Sequence, residues 1–518
     1  MNKKYILPFL STLMLAANLL ALRPVVFLHG YDLNSSSDAG SVWNNMIKLL
    51  KSDAGYAESD LHAYSYYSSA FGNNKNTPIR TVAESVANEI AELYYENGMQ
   101  PVDLVAHSMG GLIVRAMLAY NLIDRQCLGR FITLGTPHYG QNMENDNSLD
   151  LAGKQADQMK YGSIFLWELA DAWHFNGKTL PNTLCIAGVY DTKNNSRWDG
   201  LVHVWSAALG DAPCRYVNKC HAPILSSSTS TGSFWGALIG GILTGGIGGI
   251  ILGGLGGAAA GKADATDVLY QCTKGTSDDV YVLVKWYLRY GYAYPQSSLS
   301  YSPPAAVTET GGLFYQITDA YGYPAQYQAG TSKLITEFYN QSTYSTVTPS
   351  FRDHGAAGTE SQPYGIEFIF GTMPTGTYEL TGAASQTTPA FRKSSVSVTG
   401  GRVNVLRIKS QVTITFDANG GYYVYPSQRT YAAGMTYGTL PTAYRTGYSC
   451  TYWTNSIGSY VSSYSYVPEN NTTLYARWYA NTYLVTLDRA AGSGGTSSTY
   501  ATFDSDMPTI TIDRKSVV

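Results

Sequence analysis

The sequence predicts an α/β fold with a mostly parallel sheet and flanking helices, followed by small all-β modules. Three observations lead there. From residue 24 to about 290, short apolar runs alternate with segments whose apolar residues recur every three to four places, the pattern of strands joined by crossover helices. Beyond residue 308 that helical period stops, and short Val, Ile, Tyr and Phe runs alternate with Gly and Pro turns. Charged residues make up only 14% of the 518, while 52 Gly and 43 Tyr are in excess, a balance found in extracellular β modules rather than cytosolic helical proteins.

This length allows about three or four domains. Lys plus Arg number 34 and Asp plus Glu 37, giving a net charge of −3 with no long run of one sign, so no nucleic-acid partner is expected. A hydrophobic content of 44% excludes disorder throughout. Lys3 and Lys4 precede an uncharged apolar stretch to Leu22, with Ala21 as a small residue for cleavage. Residues 1–21 therefore read as a secretory signal peptide, an uncleaved anchor being the alternative. The protein is expected to be secreted, or held at a bacterial cell surface or membrane. Cys127, Cys185, Cys214, Cys220, Cys272 and Cys450 lack zinc-site spacing, so one or two disulfides are expected, with Cys214 and Cys220 bracketing a short loop.

Taken in order, the strand candidates are 25–28, 61–66, 102–106, 130–134, 183–187 and 214–217. The helical candidates are 42–50, 79–95, 110–120 and 277–290. These place an α/β domain over 22–291, a Pro- and Ser-rich linker over 292–308, and a β-sandwich-like domain over 309–409. Residues 410–479 and 480–518 then form a full and a partial unit of an internal repeat.

The chemistry is carried by three segments of the α/β region. A strand runs directly into Ala106-His107-Ser108-Met109-Gly110-Gly111 and then a helix. A serine at such a turn is held strained, with its hydroxyl above the sheet and its backbone near the positive end of the helix. The alternative is a capping serine at a Gly-rich helix start. Upstream, the strand 25–28 ends in His29-Gly30-Tyr31, where glycine lets the chain turn so that the next amide points at the nucleophile. The amides of Tyr31 and Met109 are thus the predicted oxyanion hole, worth about 3 kcal/mol per donor. Downstream, another strand ends in Gly135-Thr136-Pro137-His138.

Together these segments resemble the α/β-hydrolase family, and the Gly-Thr-Pro-His loop points to its secreted lipase and esterase branch. Ala106 stands where that family more commonly has Gly. The resemblance covers about residues 24–290 and implies the chain order nucleophile, acid, histidine. His138, His174, His203, His221 and His354 follow Ser108, and the acid comes from Asp191 or Asp199. Asp199-Gly200-Leu201-Val202 with Trp205-Ser206-Ala207 looks like the acid loop of bacterial lipases, and His221 sits in what looks like their histidine loop. The implied triad is Ser108, Asp199 and His221. Pro223 occupies the place where calcium-dependent relatives have an aspartate, so no metal is carried over, and no organic cofactor is expected.

Two insertions stand out. Residues 141–177 contain an amphipathic stretch, 164–173, that reads either as a lid or as a packed helix. Within a Gly-rich apolar insertion, 226–262, glycines recur at every fourth place from Gly241 to Gly261. Each would cost a soluble helix about 1 kcal/mol relative to alanine, whereas such spacing suits close packing in lipid. Contact with a membrane surface through 234–261 is the favoured expectation, over a packed loop or a span.

In the tail, Phe416-Asp417-Ala418-Asn419-Gly420-Gly421, Leu440-Pro441-Thr442, Arg445-Thr446-Gly447-Tyr448 and Tyr475-Ala476-Arg477-Trp478 resemble the internalin-type B repeat of bacterial surface proteins. Cys450 with Tyr452-Trp453 departs from that pattern. The resemblance implies contact with a cell wall or surface. The second unit stops before its own Gly-Tyr and Tyr-Ala-Arg-Trp, so the chain is expected to end inside a domain, and 513–518 read like a sequencing adaptor translated in frame. The functional expectation is an exported serine hydrolase of lipid carboxylic esters. The alternatives are a non-catalytic adhesin on a hydrolase-like scaffold, and a thioesterase or phospholipase using the same triad.

Overall fold

The computed structural model describes residues 22–32, 38–141, 153–190, 198–210, 212–221, 268–325, 335–349, 351–353, 365–370, 373–384, 389–488 and 494–511. The expected signal segment, the Gly-rich insertion, Asp191, His354 and 513–518 lie outside these residues. The chain forms two compact units, one of Met1–Tyr315, Val347–Thr377 and Ser397–Leu406, the other of Gln316–Thr346, Tyr378–Val396 and Arg407–Val518.

The first unit is built on six parallel strands, β1 Val25–Leu28, β2 Leu61–Tyr64, β3 Val102–His107, β4 Leu128–Leu134, β5 Asn182–Gly188 and β6 Cys214–Val217, in the order β2-β1-β3-β4-β5-β6. Every expected strand is present within a few residues. β1 shows why the sheet needs helices on both faces. All four of its residues are fully buried, yet successive side chains point to opposite faces. Val26 and Leu28 pack with helices α2 Ile79–Glu96, α3 Met109–Ala119 and α4 Ile164–His174, while Val25 and Phe27 pack with α1 Ala39–Asp53 and α5 Asp279–Tyr290.

The helices follow their apolar stripes. α2 buries Ile79, Val82, Ala83, Val86, Ala87, Ile90 and Leu93, a three-and-four repeat along one face. Asp38 caps α1 by accepting the amides of Gly40 and Ser41, and Gly291 ends α5 in the left-handed region at φ 74°. The run expected to continue to residue 66 leaves the sheet at Tyr64, because the fully buried Tyr66 turns its hydroxyl to the carbonyls of His29 and Gly30, at 2.8 and 2.7 Å.

The stretch read as lid or packed helix is packed. α4 buries Phe165, Leu166, Trp167, Leu169 and Ala170, and Trp167 meets Phe314 edge to face with centroids 5.1 Å apart. Residues 292–308, expected as a linker, are bound to the α/β sheet: the Gln296 side chain exchanges two 2.9 Å hydrogen bonds with the backbone of Tyr216.

From 309–409 come two four-stranded sheets. β7 Gly312–Thr318, β10 Phe351–Asp353, β11 Ile366–Phe370 and β14 Val403–Lys409 make the first, ordered β10-β11-β7-β14. Its Phe314, Ile366, Phe368 and Val403 share the α/β core. The other contains β8 Ile335–Asn340, β9 Ser345–Thr346, β12 Gly376–Gly382 and β13 Phe391–Val398.

In the second unit, the repeat forms a five-stranded sheet from β15 Gln411–Asp417, β17 Gln428–Ala432, β19 Tyr448–Thr454, β20 Tyr460–Val461 and β21 Thr472–Ala480, with the ribbon β16 Tyr423–Tyr425 and β18 Thr442–Tyr444 beside it. The motif residues explain one another. Trp478 donates its indole N–H toward the carbonyls of Ala418 and Asn419 at 2.9 Å, and a Cβ on Gly421 would strike that indole at 2.6 Å. The departure at Cys450 is absorbed by a register shift between Cys450 and Tyr452, which leaves Trp453 buried and bonded to the carbonyl of Pro441 at 3.0 Å. The partial second unit supplies the hairpin β22 Thr482–Thr486 and β23 Ser498–Thr502.

The expected disulfides are corrected: none of the six cysteines is joined to another. Cys127, Cys185, Cys220 and Cys272 are buried, and burial pushes the thiols of Cys185 and Cys272 up, so they serve as small apolar core residues. Among the described residues no helix is long and apolar enough to cross a membrane.

Candidate active site

β3 delivers its chain into α3 through a single residue, Ser108, at φ 54° and ψ −126°. That left-handed φ is sparsely populated for a residue with a Cβ. It is held by the Ser108 amide donating to the Leu134 carbonyl at 2.9 Å and by the Gly111 amide donating back to the Ser108 carbonyl at 3.1 Å. Gly110 has to be glycine, because a Cβ there would lie 2.7 Å from the carbonyl of His29 and 2.8 Å from that of Leu28. The strand-to-helix turn and the β1 loop are thus pressed together.

Asp199 and His221 reach Ser108 from the ends of β5 and β6. His221 Nε2 is 2.9 Å from Ser108 Oγ, and His221 Nδ1 is 2.7 Å from Asp199 Oδ2. Asp199 is fully buried. Its other oxygen, Oδ1, accepts the amides of Leu201 at 3.0 Å and Val202 at 2.7 Å, and its carbonyl accepts the His221 amide at 2.7 Å. The Asp-Gly-Leu-Val turn therefore fixes the carboxylate plane, and the acid holds the histidine by both side chain and backbone.

Of the two oxyanion candidates, Met109 opens α3 immediately after Ser108 and is buried. Tyr31 follows Gly30, where a Cβ would lie 2.9 Å from Ser108 Cβ and 3.4 Å from Ser108 Oγ. Gly30→Ala is expected to push the Tyr31 segment off Ser108 and lower kcat by about 10²-fold, with an unchanged far-UV spectrum. A kcat within twofold of the parent protein would show that this segment does not serve the oxyanion.

Of the other histidines that follow Ser108, His138, His174 and His203 lie elsewhere in the first unit. His138 is fully buried, its carbonyl accepting from Arg115 Nη1 at 2.6 Å. Burial above all, then the Arg115 charge, holds its imidazole well below the usual range, which makes it a neutral strut. His174 ends α4, 3.3 Å from the hydroxyl of Tyr139, and His203 stacks between Trp198 and Trp205.

Reasoning from sequence passed over His107, although it adjoins Ser108. Its ring sits 4.7 Å from that of His221, and its Nε2 faces the His221 carbonyl at 3.0 Å. Burial first, then His221, hold it neutral. A neutral ring facing a carbonyl must carry its proton on that nitrogen, so Nε2 donates and tethers the backbone of His221. Lys219, Leu269 and Asp278, which also brace this loop, gave no signal in sequence because their partners are distant along the chain.

Stability should fall in acid. Burial lowers the imidazole of His29 to about 4, below its value in the unfolded chain, so between about pH 6.5 and 4 the unfolded state binds the extra proton. Its contribution, about 3 kcal/mol at most, is complete above pH 6.5 and lost as the pH falls toward 4. His107 and His138 extend the loss further down. Denaturant unfolding at pH 7 and pH 5 checks this; equal stabilities at the two values would contradict it.

The six-stranded parallel sheet with helices on both faces is the α/β-hydrolase fold, and at the carboxyl ends of its strands a serine at a strained strand-to-helix turn is bonded to a histidine that is bonded to a carboxylate. Residues 20–160 match the PGAP1-like alpha/beta domain, and residues 413–477 match the Listeria-Bacteroides repeat domain. The chain thus carries a PGAP1-like α/β-hydrolase domain toward its N-terminus and a Listeria-Bacteroides repeat domain toward its C-terminus. No curated protein matches it. Among solved structures it is similar to the phospholipase PlaB from Legionella pneumophila in complex with thio-NAD, at 12% identity over 75% of this chain and 93% of that one, with a TM-score of 0.47. It is also similar to the mature lipase BlEst2 from Bacillus licheniformis, at 20% identity over 38% of this chain and 82% of that one, with a TM-score of 0.29.

Proposed function

We propose that the protein is an exported serine hydrolase that cleaves carboxylic esters of apolar acids through an acyl-enzyme. The observation that carries this is the relay from Asp199 Oδ2 through His221 to Ser108 Oγ, at 2.7 and 2.9 Å. Ser108 Oγ attacks the ester carbonyl carbon while its proton passes to His221 Nε2. The oxyanion is met by the amides of Tyr31 and Met109. On collapse the C–O bond to the alcohol breaks, and His221 returns the proton to the departing oxygen. Water, deprotonated by the same imidazole, then attacks the acyl-enzyme and releases the acid.

A preference for apolar acids is supported by the aromatic group next to the acid loop. Tyr161, whose phenol is kept neutral first by burial and then by the charge of Asp199, stacks on Phe368 with centroids 4.5 Å apart. A signal-like N-terminus and a repeat similar to those of bacterial surface proteins support export, with the repeats contacting the cell wall or surface and 234–261 contacting a lipid surface. A chain-length series of nitrophenyl esters tests the substrate class. kcat/KM should rise from acetate to octanoate, and a series falling from acetate would overturn the preference for apolar acids.

A further inference from the structure

The loop that bears His221 is anchored by an ion pair two residues earlier. Lys219 Nζ lies 2.8 Å from Asp278 Oδ2, with side chains 3% and 0% exposed. Asp278 is also the cap of α5, its Oδ1 accepting the Val280 amide at 3.1 Å. The carboxylate therefore joins the start of the last α/β helix to the histidine loop. One residue nearer, the Cys220 carbonyl accepts the Leu269 amide at 3.0 Å, within a parallel bridge between Cys220 and Val268.

The side chain of Leu269 completes the arrangement. It is fully buried, and its Cδ1 would meet a Cβ on Gly135 at 2.8 Å, where Asp199 Oδ2 and His221 Nδ1 would be met at 2.8 and 3.0 Å. This leucine lines the same small space as the acid–base pair and dries it. Leu269 and Asp278, which follow residues 222–267 in the chain, thus hold the histidine loop through Cys220 and Lys219.

A buried ion pair adds little stability over a well-packed apolar pair of similar size, but it defines one geometry, and losing either partner strands a charge. An imidazole that must meet a hydroxyl and a carboxylate at once needs such a definition. We propose that Lys219 and Asp278 form a positioning pair that sets His221 over Ser108, an inference that rests on the assignment of His221 as the base.

The test compares Lys219→Met, Asp278→Asn, Lys219→Arg and the double variant Lys219→Met with Asp278→Leu, all in the full chain, by nitrophenyl ester kinetics, fluorophosphonate labelling of Ser108 and thermal unfolding. A displacement of about an ångström costs about 10²-fold. Lys219→Met and Asp278→Asn are therefore expected to lower kcat and the labelling rate together by about that factor, with KM within twofold, and Lys219→Arg to restore most of it. If the single variants do not fold, the double variant decides, since it leaves an apolar pair in place of the charges: it should fold and remain slow. Wild-type kcat and labelling in a folded Lys219→Met or double variant would overturn the proposal. Undiminished hydrolysis by Ser108→Ala would instead overturn the assignment of the site, and the positioning role with it.

Discussion

Replacing Ser108 by alanine is expected to lower kcat toward nitrophenyl esters by at least about 10⁴-fold. The hydroxyl is the atom that would form the new bond, and the substitution deletes its 2.9 Å contact with His221 Nε2. Alanine keeps the Cβ, so the strain at φ 54° is unchanged, and the backbone bonds to Leu134 and from Gly111 remain. Folding and substrate binding should therefore survive while the chemical step does not. Equal rates for the two purified proteins would remove the enzymatic reading and leave the alternative of a hydrolase-like scaffold on a surface adhesin.

Asp199→Asn is expected to cost about 10⁴-fold in kcat as well, for a reason that can be traced atom by atom. Oδ1 accepts from the amides of Leu201 and Val202, so an asparagine must keep its carbonyl oxygen there. Its NH₂ group is then forced toward His221 Nδ1 at the position of Oδ2. Two donors cannot face each other, so the imidazole shifts its proton to Nε2 and donates to Ser108 instead of accepting from it. The base is present but in the wrong tautomer. The signature is a folded protein whose Ser108 no longer labels with fluorophosphonate at the parent rate; labelling within tenfold of the parent would show that Asp199 does not set the tautomer.

The six strands and their helices were legible because each is short, apolar and bounded by Gly, Pro or polar turns, so that local pattern and burial agree. Asp199 was legible only through the resemblance of its Asp-Gly-Leu-Val turn to the acid loop of bacterial lipases; that the turn's amides fix the carboxylate is seen in the structure. The role of α4 was not, because an apolar stripe looks the same whether it covers a site or packs on α3 and Phe314. The cysteines misled for a related reason. Export argues for disulfides, but pairing depends on where each side chain lies, and four of the six are buried among apolar residues.

By itself the sequence determined the order of secondary elements, the serine turn between strand and helix, and the repeat, since all of these are written in residues within a few places of one another; the acid and histidine loops it offered by resemblance alone. Only the tertiary structure decided that Asp199 and His221 meet Ser108, that neutral His107 tethers the histidine backbone, that Lys219 finds Asp278, and that β7 and β11 complete the α/β core. Those contacts join residues up to a few hundred positions apart. No local period or propensity records them, because they arise only when burial of the two faces of the sheet draws its loop ends to one rim.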